Sequence, residues 1–403
     1  MADTLKPRDN NDVEEAVRWA LAEGKTLEIV GQGSKRGFGR PSQTDLTLDL
    51  SGLAGLALYE PEELVLSAQA GTPLAEIEAL VAQNGQQLAF EPMDYGPIFG
   101  RERGGGTIGG ALAANLSGPR RIKAGAARDH FLGVSAVSGR GETFKSGGRV
   151  VKNVSGYDLC KLLAGSFGTL AAMTHVTIKT LPRPETEQTM LIHALEDAAA
   201  IAAMSAAMNS LAEISGAAHL PRQTAGRVLQ GAGGAVTALR IEGVPPSVLH
   251  RRRILETLFD RHSLSTLEVE QSRAFWRDIR DAAVFAGDET DSALWRISTA
   301  PANGAALAAG LSMNTEADVL YDWAGGLVWA ALPSQGDAGA ALVRATLGTL
   351  GGHATLVRAP AAVRAAVDVF QPQEPVLAAL SKRVKEGFDP RGVLNPGRMW
   401  AGV

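Results

Sequence analysis

The sequence has few residues that could form disulfide bonds or bind metals, and its positive and negative charges nearly cancel. Its 403 residues include one cysteine, Cys160, which excludes an internal disulfide and provides too few thiolates for an iron–sulfur cluster. Seven histidines show no close pair at metal-ligand spacing, so no metal site is predicted. A formal net charge of −4 provides no field that would gather nucleic acid.

Long apolar runs are also missing. No uninterrupted stretch reaches the ~18 apolar residues that a membrane-spanning helix needs, and the first residues carry no apolar signal region. We therefore expect a cytoplasmic protein, with at most peripheral association with the inner face of a membrane through a partner. Because the composition is average for globular proteins and the chain is too long for one core, two domains are expected.

Glycine, by contrast, is abundant, and it is clustered between residues 104 and 181. The clusters span residues 104–110, 125–129, 151–158 and 165–170. Glycine lets the backbone approach a ligand closely and adopt positive φ angles. Repeated clusters between apolar segments suggest a long ligand lying on exposed backbone, and the working hypothesis is a dinucleotide, specifically FAD.

A further glycine turn lies near the start of the chain. Residues 12–23 have the apolar spacing of an amphipathic helix, capped by Asn11 or Asp12, and residues 27–30 form a predicted strand. This strand runs into a turn containing Gly31, Gly33, Ser34 and Lys35, whose N–H groups can bind an anion. The alternative is a polar surface turn with a solvated lysine.

Gly104-x-Gly106-x-x-Gly109 matches the dinucleotide fingerprint letter by letter. The fingerprint requires a strand immediately before it, whereas residues 95–103 are rich in turn residues and charge and predict a loop. A nicotinamide-binding Rossmann domain is therefore not expected. Residues 108–116 are still predicted to form a helix whose N-terminus faces an anionic ligand.

The remaining chain alternates strands and helices. Residues 131–138 and 142–145 predict a hairpin, and residues 170–181 predict a strand with His175 on its surface. Pro182 and Pro184 interrupt the pattern, so we place a domain boundary there. An α+β cap is predicted from helices at 195–211 and 246–262 and strands at 235–241, 294–298 and 326–331. Its four tryptophans, at positions 276, 295, 323 and 329, either pack in the core or line the entrance to a substrate site. Proline turns after residue 385 predict an extended tail.

Four segments together resemble FAD-linked oxidases of the vanillyl-alcohol oxidase and p-cresol methylhydroxylase superfamily. They are residues 30–35, residues 107–110 with Asn115, residues 152–158 with 165–170, and residues 388–397. Their order is most similar to that in the FAD-binding E subunits of bacterial glycolate oxidase. The resemblance implies an α+β fold: a bipartite FAD-binding domain at 1–184, an α+β cap at 185–384, and a tail at 385–403 that returns to the first domain.

The resemblance also implies the cofactor contacts. Gly31, Gln32, Gly33, Ser34 and Lys35 would hold the pyrophosphate, with Thr107, Ile108, Gly109 and Gly110 near it. Asn115, Arg128, Asp129, Asn153, Gly156, Tyr157, Gly168, Thr169, Leu170 and Asn395 would lie along the rest of the FAD. Covalent members attach the flavin through histidine or cysteine, and residues 31–40 contain neither, so non-covalent FAD is predicted.

The resemblance implies an FAD-binding subunit of a complex that oxidises glycolate, a 2-hydroxy acid, to glyoxylate. A related flavin subunit and an iron–sulfur subunit are the expected partners. No catalytic base is identified; Arg296 or Arg358 could clamp the substrate carboxylate, or both could be surface residues. The alternatives are a stand-alone FAD-dependent oxidase of 2-hydroxy acids or alcohols, and a non-catalytic FAD-binding scaffold.

Overall fold

The computed structural model describes residues 3–149, 156–287 and 292–403. The first half contains short elements joined by glycine-rich turns. In chain order they are β1 (Asp3–Leu5), α1 (Asn10–Glu23), β2 (Leu27–Val30), β3 (Leu46–Asp49), β4 (Leu56–Glu60), β5 (Val65–Gln69), α2 (Leu74–Gln83), β6 (Gln86–Gln87), α3 (Ile108–Ala113), α4 (Arg121–Ala124), α5 (Ala127–His130), β7 (Phe131–Ser138), β8 (Thr143–Gly147), α6 (Leu159–Leu163), β9 (Ala171–Lys179) and β10 (Leu181–Pro182).

The second half alternates longer strands with helices. In chain order they are β11 (Thr186–His193), α7 (Asp197–Met208), β12 (Gly216–Leu220), α8 (Arg222–Val228), β13 (Val236–Gly243), α9 (Pro245–Leu258), β14 (Leu264–Leu267), α10 (Val269–Arg280), β15 (Ser292–Ser298), α11 (Gly304–Ser312), β16 (Asp318–Asp322), β17 (Leu327–Pro333), α12 (Ala340–Leu350), β18 (His353–Arg358), α13 (Ala361–Ala366) and α14 (Pro375–Phe388). Within the described residues, no helix combines the length and the apolar character needed to cross a bilayer.

Two sheets organise the first half. A small parallel sheet has the order β1-β3-β2, and α1 packs on it through Val13, Val17 and Ala20. An antiparallel sheet has the order β4-β5-β9-β7-β8. Apolar side chains of α2, α3 and α6 pack with this second sheet in one core. The first half therefore consists of two subdomains that face each other.

One eight-stranded antiparallel sheet organises the second half, in the order β14-β11-β13-β12-β16-β17-β15-β18. Its strands all come from residues 186–358, and its core includes the buried Trp276, Trp295 and Trp329. The predicted α+β class is confirmed, because the five-stranded and eight-stranded sheets are antiparallel, whereas the parallel β1-β3-β2 sheet is small.

Several predicted boundaries shift. Asp9, not Asn11 or Asp12, caps α1: its Oδ1 accepts hydrogen bonds from the N–H groups of Asn11 and Asp12 at 2.8 and 2.9 Å. Residues 385–388 were predicted to begin the extended tail but form the last turn of α14. His175 lies half-buried on a strand, as predicted.

Buried charges join the two halves. Arg120 Nη1 donates to Glu91 Oε1 at 2.6 Å, and Arg240 of β13 donates to both oxygens of Glu91 at 2.9 and 3.1 Å. Arg120 Nε also donates to Glu242 at 3.0 Å. Burial opposes ionisation of Glu242, but the Arg240 and Arg120 guanidiniums outweigh it and lower its pKa to about 2. The two arginines and two glutamates therefore compensate each other's desolvation.

We expect Glu242→Gln to reduce the free energy of unfolding by about 3–5 kcal/mol at pH 7, because two buried guanidiniums lose a carboxylate. The pKa of Glu242 is lowered in the folded state, so its contribution is complete above the ordinary glutamate pKa of about 4.3 and is lost as pH falls towards 2. Urea unfolding at pH 7 and pH 3 measures both effects. Glu256→Gln, which alters an exposed glutamate that pairs with the half-buried Arg252, is the control. Equal losses in the two variants at pH 7 would contradict the expectation.

Candidate functional site

A cleft lies between the two subdomains of the first half. It consists of two adjoining pockets that share lining residues, among them Gly31, Thr107 and Phe167. The turn after β2, helix α3, the turn before β9 and the C-terminal tail form its walls. The lining includes residues 28–36, Thr107, Gly109, Gly110, Ala113, Ala114, Phe167, Gly168, Asn395 and Arg398.

Two glycines allow close packing around the cleft, one between the two subdomains and one between α3 and the residue after β5. A Cβ atom on Gly31 would lie 2.6 Å from Thr107 Oγ1, and one on Gly109 would lie 2.7 Å from the carbonyl oxygen of Ala70. Contacts of this kind leave no room for any side chain. Glycine is therefore required at both positions by the packing of α3, and contact of their backbone with a ligand stays a prediction.

Helix α3 is shorter than predicted. It ends at Ala113, and protein groups already bind its first N–H groups: Ile108 N donates to Thr72 O at 3.0 Å, and Gly109 N donates to Ala70 O at 2.8 Å. Thr107 Oγ1 accepts from Gly110 N at 3.2 Å. These N–H groups bind protein partners, so they are not free to bind an anion directly, while Thr107 and Gly110 still line the cleft; that this N-terminus faces an anion stays a prediction.

The ammonium of Lys35 supplies positive charge instead. It is partly buried, and burial lowers its pKa to about 8 against the opposing charge of Asp94. Its Nζ contacts Ser34 Oγ at 3.1 Å, and a Cβ on Gly110 would lie 3.5 Å from it. The ion pairs among the described residues do not include Lys35. A desolvated cation beside bare glycine backbone fits a phosphate group, so these residues fit the pyrophosphate of FAD.

The C-terminal tail closes the cleft. Asn395 Oδ1 accepts from Ile29 N of β2 at 2.9 Å, and its Nδ2 donates to Phe167 O at 2.7 Å, so one side chain joins both subdomains. Asn395 adopts a φ of +43°, a conformation that asparagine tolerates better than most residues. Arg398 Nη2 donates to Lys35 O at 2.9 Å and ties the same tail to the glycine turn.

A buried ion pair holds the tail in place. Lys385 Nζ donates to Asp389 Oδ2 at 2.7 Å, Thr169 O at 2.6 Å and Leu394 O at 2.9 Å. Asp389 accepts from the N–H groups of Val393 and Leu394 at 2.9 and 2.8 Å. All charges and donors of the pair are satisfied, so it fixes the backbone from which Asn395 projects.

The structure brings part of the predicted contact set together in the cleft: Gly31, Gln32, Gly33, Ser34, Lys35, Thr107, Gly109, Gly110, Gly168 and Asn395. Ile108 and Leu170 are buried in the core, and Thr169 Oγ1 donates to Ser166 O. Asn115, Arg128, Asp129, Gly156 and Tyr157 lie outside the lining, and Asn153 lies outside the described residues. Their contact with FAD stays a prediction.

Sequence reasoning missed several residues of this site. Phe167 lies inside a recognised glycine segment and lines both cavities. Arg101 Nη1 donates to Gly33 O at 2.7 Å, and it belongs to a loop that carried no motif. Lys385 and Asp389 have an i, i+4 spacing that is common on exposed helices, so only the structure reveals their burial.

A second candidate binding feature, in the cap, is an arginine stacked on tryptophan rings. Arg296 of β15 lies over the rings of Trp323 and Trp329, 4.9 and 5.9 Å from their centroids, and Arg121 of α4 lies 4.3 Å from that of Trp323. The ion pairs among the described residues include neither arginine. Burial lowers the pKa of Arg296, and neighbouring Tyr95 and Asp322 partly offset this. A partly buried guanidinium of this kind is suited to binding a carboxylate.

Aromatic contacts connect this feature to the cleft. Phe167 of the cleft wall packs on Phe38 with ring centroids 5.0 Å apart, Phe38 packs on Tyr95 at 5.2 Å, and Tyr95 packs on Trp329 at 6.5 Å. Arg358, the other predicted clamp, instead donates to the carbonyl oxygens of Ile98 and Phe285 at 3.0 and 2.8 Å. Arg296 is therefore the better placed of the two arginines.

Comparison with known proteins agrees with this geometry. Residues 2–147 match the family described as FAD binding domain. The chain is 32% identical to glycolate oxidase subunit GlcE of Escherichia coli (strain K12) over 396 residues, covering 96% of each chain. It is 29% identical to glycolate oxidase subunit GlcD of Bacillus subtilis (strain 168) over 190 residues, covering 46% of this chain and 38% of that protein. The crystal structure of p-cresol methylhydroxylase with substrate bound is similar in fold, with a TM-score of 0.73, 14% identity, and coverage of 98% of this chain and 88% of that chain.

We expect FAD affinity to depend on the charge of Lys35. In the free protein its pKa is about 8, and a bound anion raises the pKa, so affinity should fall up to roughly tenfold per pH unit above pH 8. Fluorescence titration of the apoprotein with FAD from pH 7 to 9.5 measures this. Lys35→Met should bind weakly without this dependence, and Lys25→Met, which alters an exposed lysine, should behave as wild type. A wild-type pH profile in Lys35→Met would refute the assignment.

A second expectation concerns Asn395. Asn395→Asp keeps the oxygen that accepts from Ile29 N but replaces the donor to Phe167 O with a carboxylate oxygen, so the two oxygens repel. FAD affinity should fall about tenfold, since losing a hydrogen bond and leaving its acceptor unpaired costs about 1–3 kcal/mol. Asn84→Asp makes the same chemical change on an exposed helix end and serves as control. Equal FAD dissociation constants for the two variants would show that the bridge does not shape the cleft.

Proposed function

This chain belongs to the family of glycolate oxidase subunit GlcE, among the FAD-dependent oxidoreductases, and we propose that it is the FAD-binding subunit of a complex that oxidises glycolate to glyoxylate. The observation that carries the proposal is the similarity to the Escherichia coli subunit over 96% of both chains. This similarity extends beyond the FAD-binding half to the cap and the tail. Shorter matches, such as that to GlcD, support the cofactor more than the substrate.

FAD is assigned to the cleft between the subdomains. Lys35 would neutralise the pyrophosphate, the backbone of Gly31 and Gly33 would lie against it, and Asn395 would hold the two walls at a fixed separation. When bound, FAD supplies the acceptor for the hydride that leaves C2 of a 2-hydroxy acid. Residues 1–184 and 385–403 would form the FAD-binding part and residues 185–384 the cap, a division that the separate sheets of the two halves support.

Arg296 is the proposed partner of the substrate carboxylate. The guanidinium is partly buried, it forms no ion pair among the described residues, and its strand faces the aromatic side chains that continue from the cleft wall. Trp323 and Trp329 restrict its orientation by stacking, so less rotational freedom is lost when a carboxylate binds. Small anionic acids such as glycolate fit this arrangement better than neutral alcohols.

Electrons leaving this subunit need an external acceptor. The single cysteine, Cys160, is buried, and burial raises its pKa to about 12, so it has neither the number nor the chemistry of a cluster ligand set. The names of the related proteins identify them as subunits. We infer a multi-subunit complex, with a related flavin subunit and an iron–sulfur subunit as partners and any membrane association made through them.

Anaerobic mixing with glycolate tests the function. We expect the visible flavin absorbance to bleach when this chain is assembled with its co-purified partners. Arg296→Met should slow the bleaching of this subunit's flavin by about 10²-fold, because charge-assisted hydrogen bonds to a carboxylate contribute about 1.5–3 kcal/mol each. Arg253→Met, on the exposed face of α9, is the control.

The outcome also separates the alternatives. Bleaching of the isolated chain by glycolate would favour a stand-alone oxidase. Bleaching of the complex that is unaffected by Arg296→Met, with FAD retained in this chain, would favour a scaffold whose sister subunit performs the oxidation. No bleaching of the complete complex by glycolate would contradict the proposed substrate.

A further inference from the structure

A second large cavity lies at the junction of the two halves, away from the FAD cleft. Its volume is about 380 Å³, and none of its lining residues also lines the cleft. Helix α2 and residues 86–91 form one side, and α10 with strands β11 and β13 forms the other. Anything bound here would contact both the FAD-binding half and the cap.

Arginine dominates the charged lining. Six arginines and three glutamates line the cavity: Arg120, Arg183, Arg240, Arg273, Arg277 and Arg280 with Glu78, Glu91 and Glu187. Trp276 also lines the cavity, and the guanidinium of Arg240 stacks on its ring, 4.6 Å from the ring centroid. Arginine offers a planar set of donors that matches carboxylate and phosphate oxygens. Several arginines around one cavity therefore indicate a site for an anion.

Four of the six arginines are already paired within the protein. Arg120 and Arg240 belong to the network with Glu91 and Glu242. Arg280 binds both oxygens of Asp281 at 2.8 and 2.9 Å. Arg273 Nη1 donates to Glu270 Oε1 at 2.8 Å, and its buried Nε has no hydrogen-bond partner, although it lies 3.7 Å from Glu187 Oε2.

The other two arginines of the cavity, Arg183 and Arg277, lack an acidic partner among the described residues. Arg183 lies in the connection between β10 and β11, and Arg277 lies on α10 of the cap. Both side chains are exposed and line the same cavity. Two unpaired guanidiniums from different elements, with a buried donor of Arg273 nearby, form an incomplete set of anion contacts.

We propose that this interdomain cavity binds a small anion with at least two negative charges, either a phosphate or a polycarboxylate. Arg183 and Arg277 contact it from the two sides, and Arg273 can add a hydrogen bond from its Nε. A singly charged anion would leave one guanidinium uncompensated. Because the ligand joins the connection after β10 to a cap helix, its binding stabilises one arrangement of the cap relative to the FAD-binding half.

Titration calorimetry on the full-length chain loaded with FAD tests the proposal. Inorganic phosphate and citrate are titrated separately at pH 7.5, with ionic strength held constant by sodium chloride. We expect saturable 1:1 binding of at least one anion, and the tighter of the two identifies the ligand class. Arg183→Gln and Arg277→Gln should each weaken it roughly tenfold or more.

The controls use the same preparation. Arg253→Gln removes an exposed arginine outside the cavity and should bind as wild type. Flavin absorbance per chain should be equal in all variants, which shows that the FAD cleft is intact. The proposal is overturned if neither anion gives heat above the sodium chloride blank, or if both cavity variants bind as tightly as wild type. None of these outcomes depends on glycolate oxidation.

Discussion

The fold depends on the attachment of its last residues to strand β2 and to the turn before β9. Asn395 accepts from β2 and donates to Phe167, so the two walls of the cleft share one amide side chain. The buried Lys385–Asp389 pair fixes the chain around it, and a Cβ on Gly139 would lie 2.3 Å from the Asp389 carboxylate carbon. Residues separated by most of the sequence therefore set the width of the cleft together.

Some buried charges in this protein are paired with each other, and others are not. The Glu91–Arg120–Arg240–Glu242 network and the Lys385–Asp389 pair are internally compensated, so they hold elements together. Lys35 and Arg296 are partly buried without an ion-pair partner among the described residues, and each bears a desolvation cost that an anionic ligand would relieve. Lys35 and Arg296 lie where the cofactor and the substrate are proposed to bind.

Much of this arrangement follows from the sequence, because its strongest signals are local. The amphipathic spacing of α1, the hairpin of β7 and β8, and the glycine turn after β2 depend on neighbouring residues. The occupied N-terminus of α3 could not be foreseen, since its partners are backbone carbonyls of Ala70 and Thr72 in a distant turn. The roles of Lys385 and Arg398 were missed for the same reason: long-range packing determines their burial.

The site was predicted in part. The glycines of the cleft were recognised because glycine is typical of positions where the backbone comes close to another group. Phe167 and Arg101 act through long-range contacts that no short sequence pattern encodes. Choosing between Arg296 and Arg358 required the structure, because both are arginines on strands of the same sheet. Arg296 packs on the indole rings of Trp323 and Trp329, whereas Arg358 donates hydrogen bonds to backbone carbonyl oxygens.

The most direct test of the central claim is a crystal structure of the purified chain with FAD bound. We predict electron density for the pyrophosphate against Lys35 and the backbone of Gly31 and Gly33, with Asn395 still joining Ile29 and Phe167. FAD bound elsewhere on the chain, or a cleft that remains empty in a flavin-loaded crystal, would contradict the assignment.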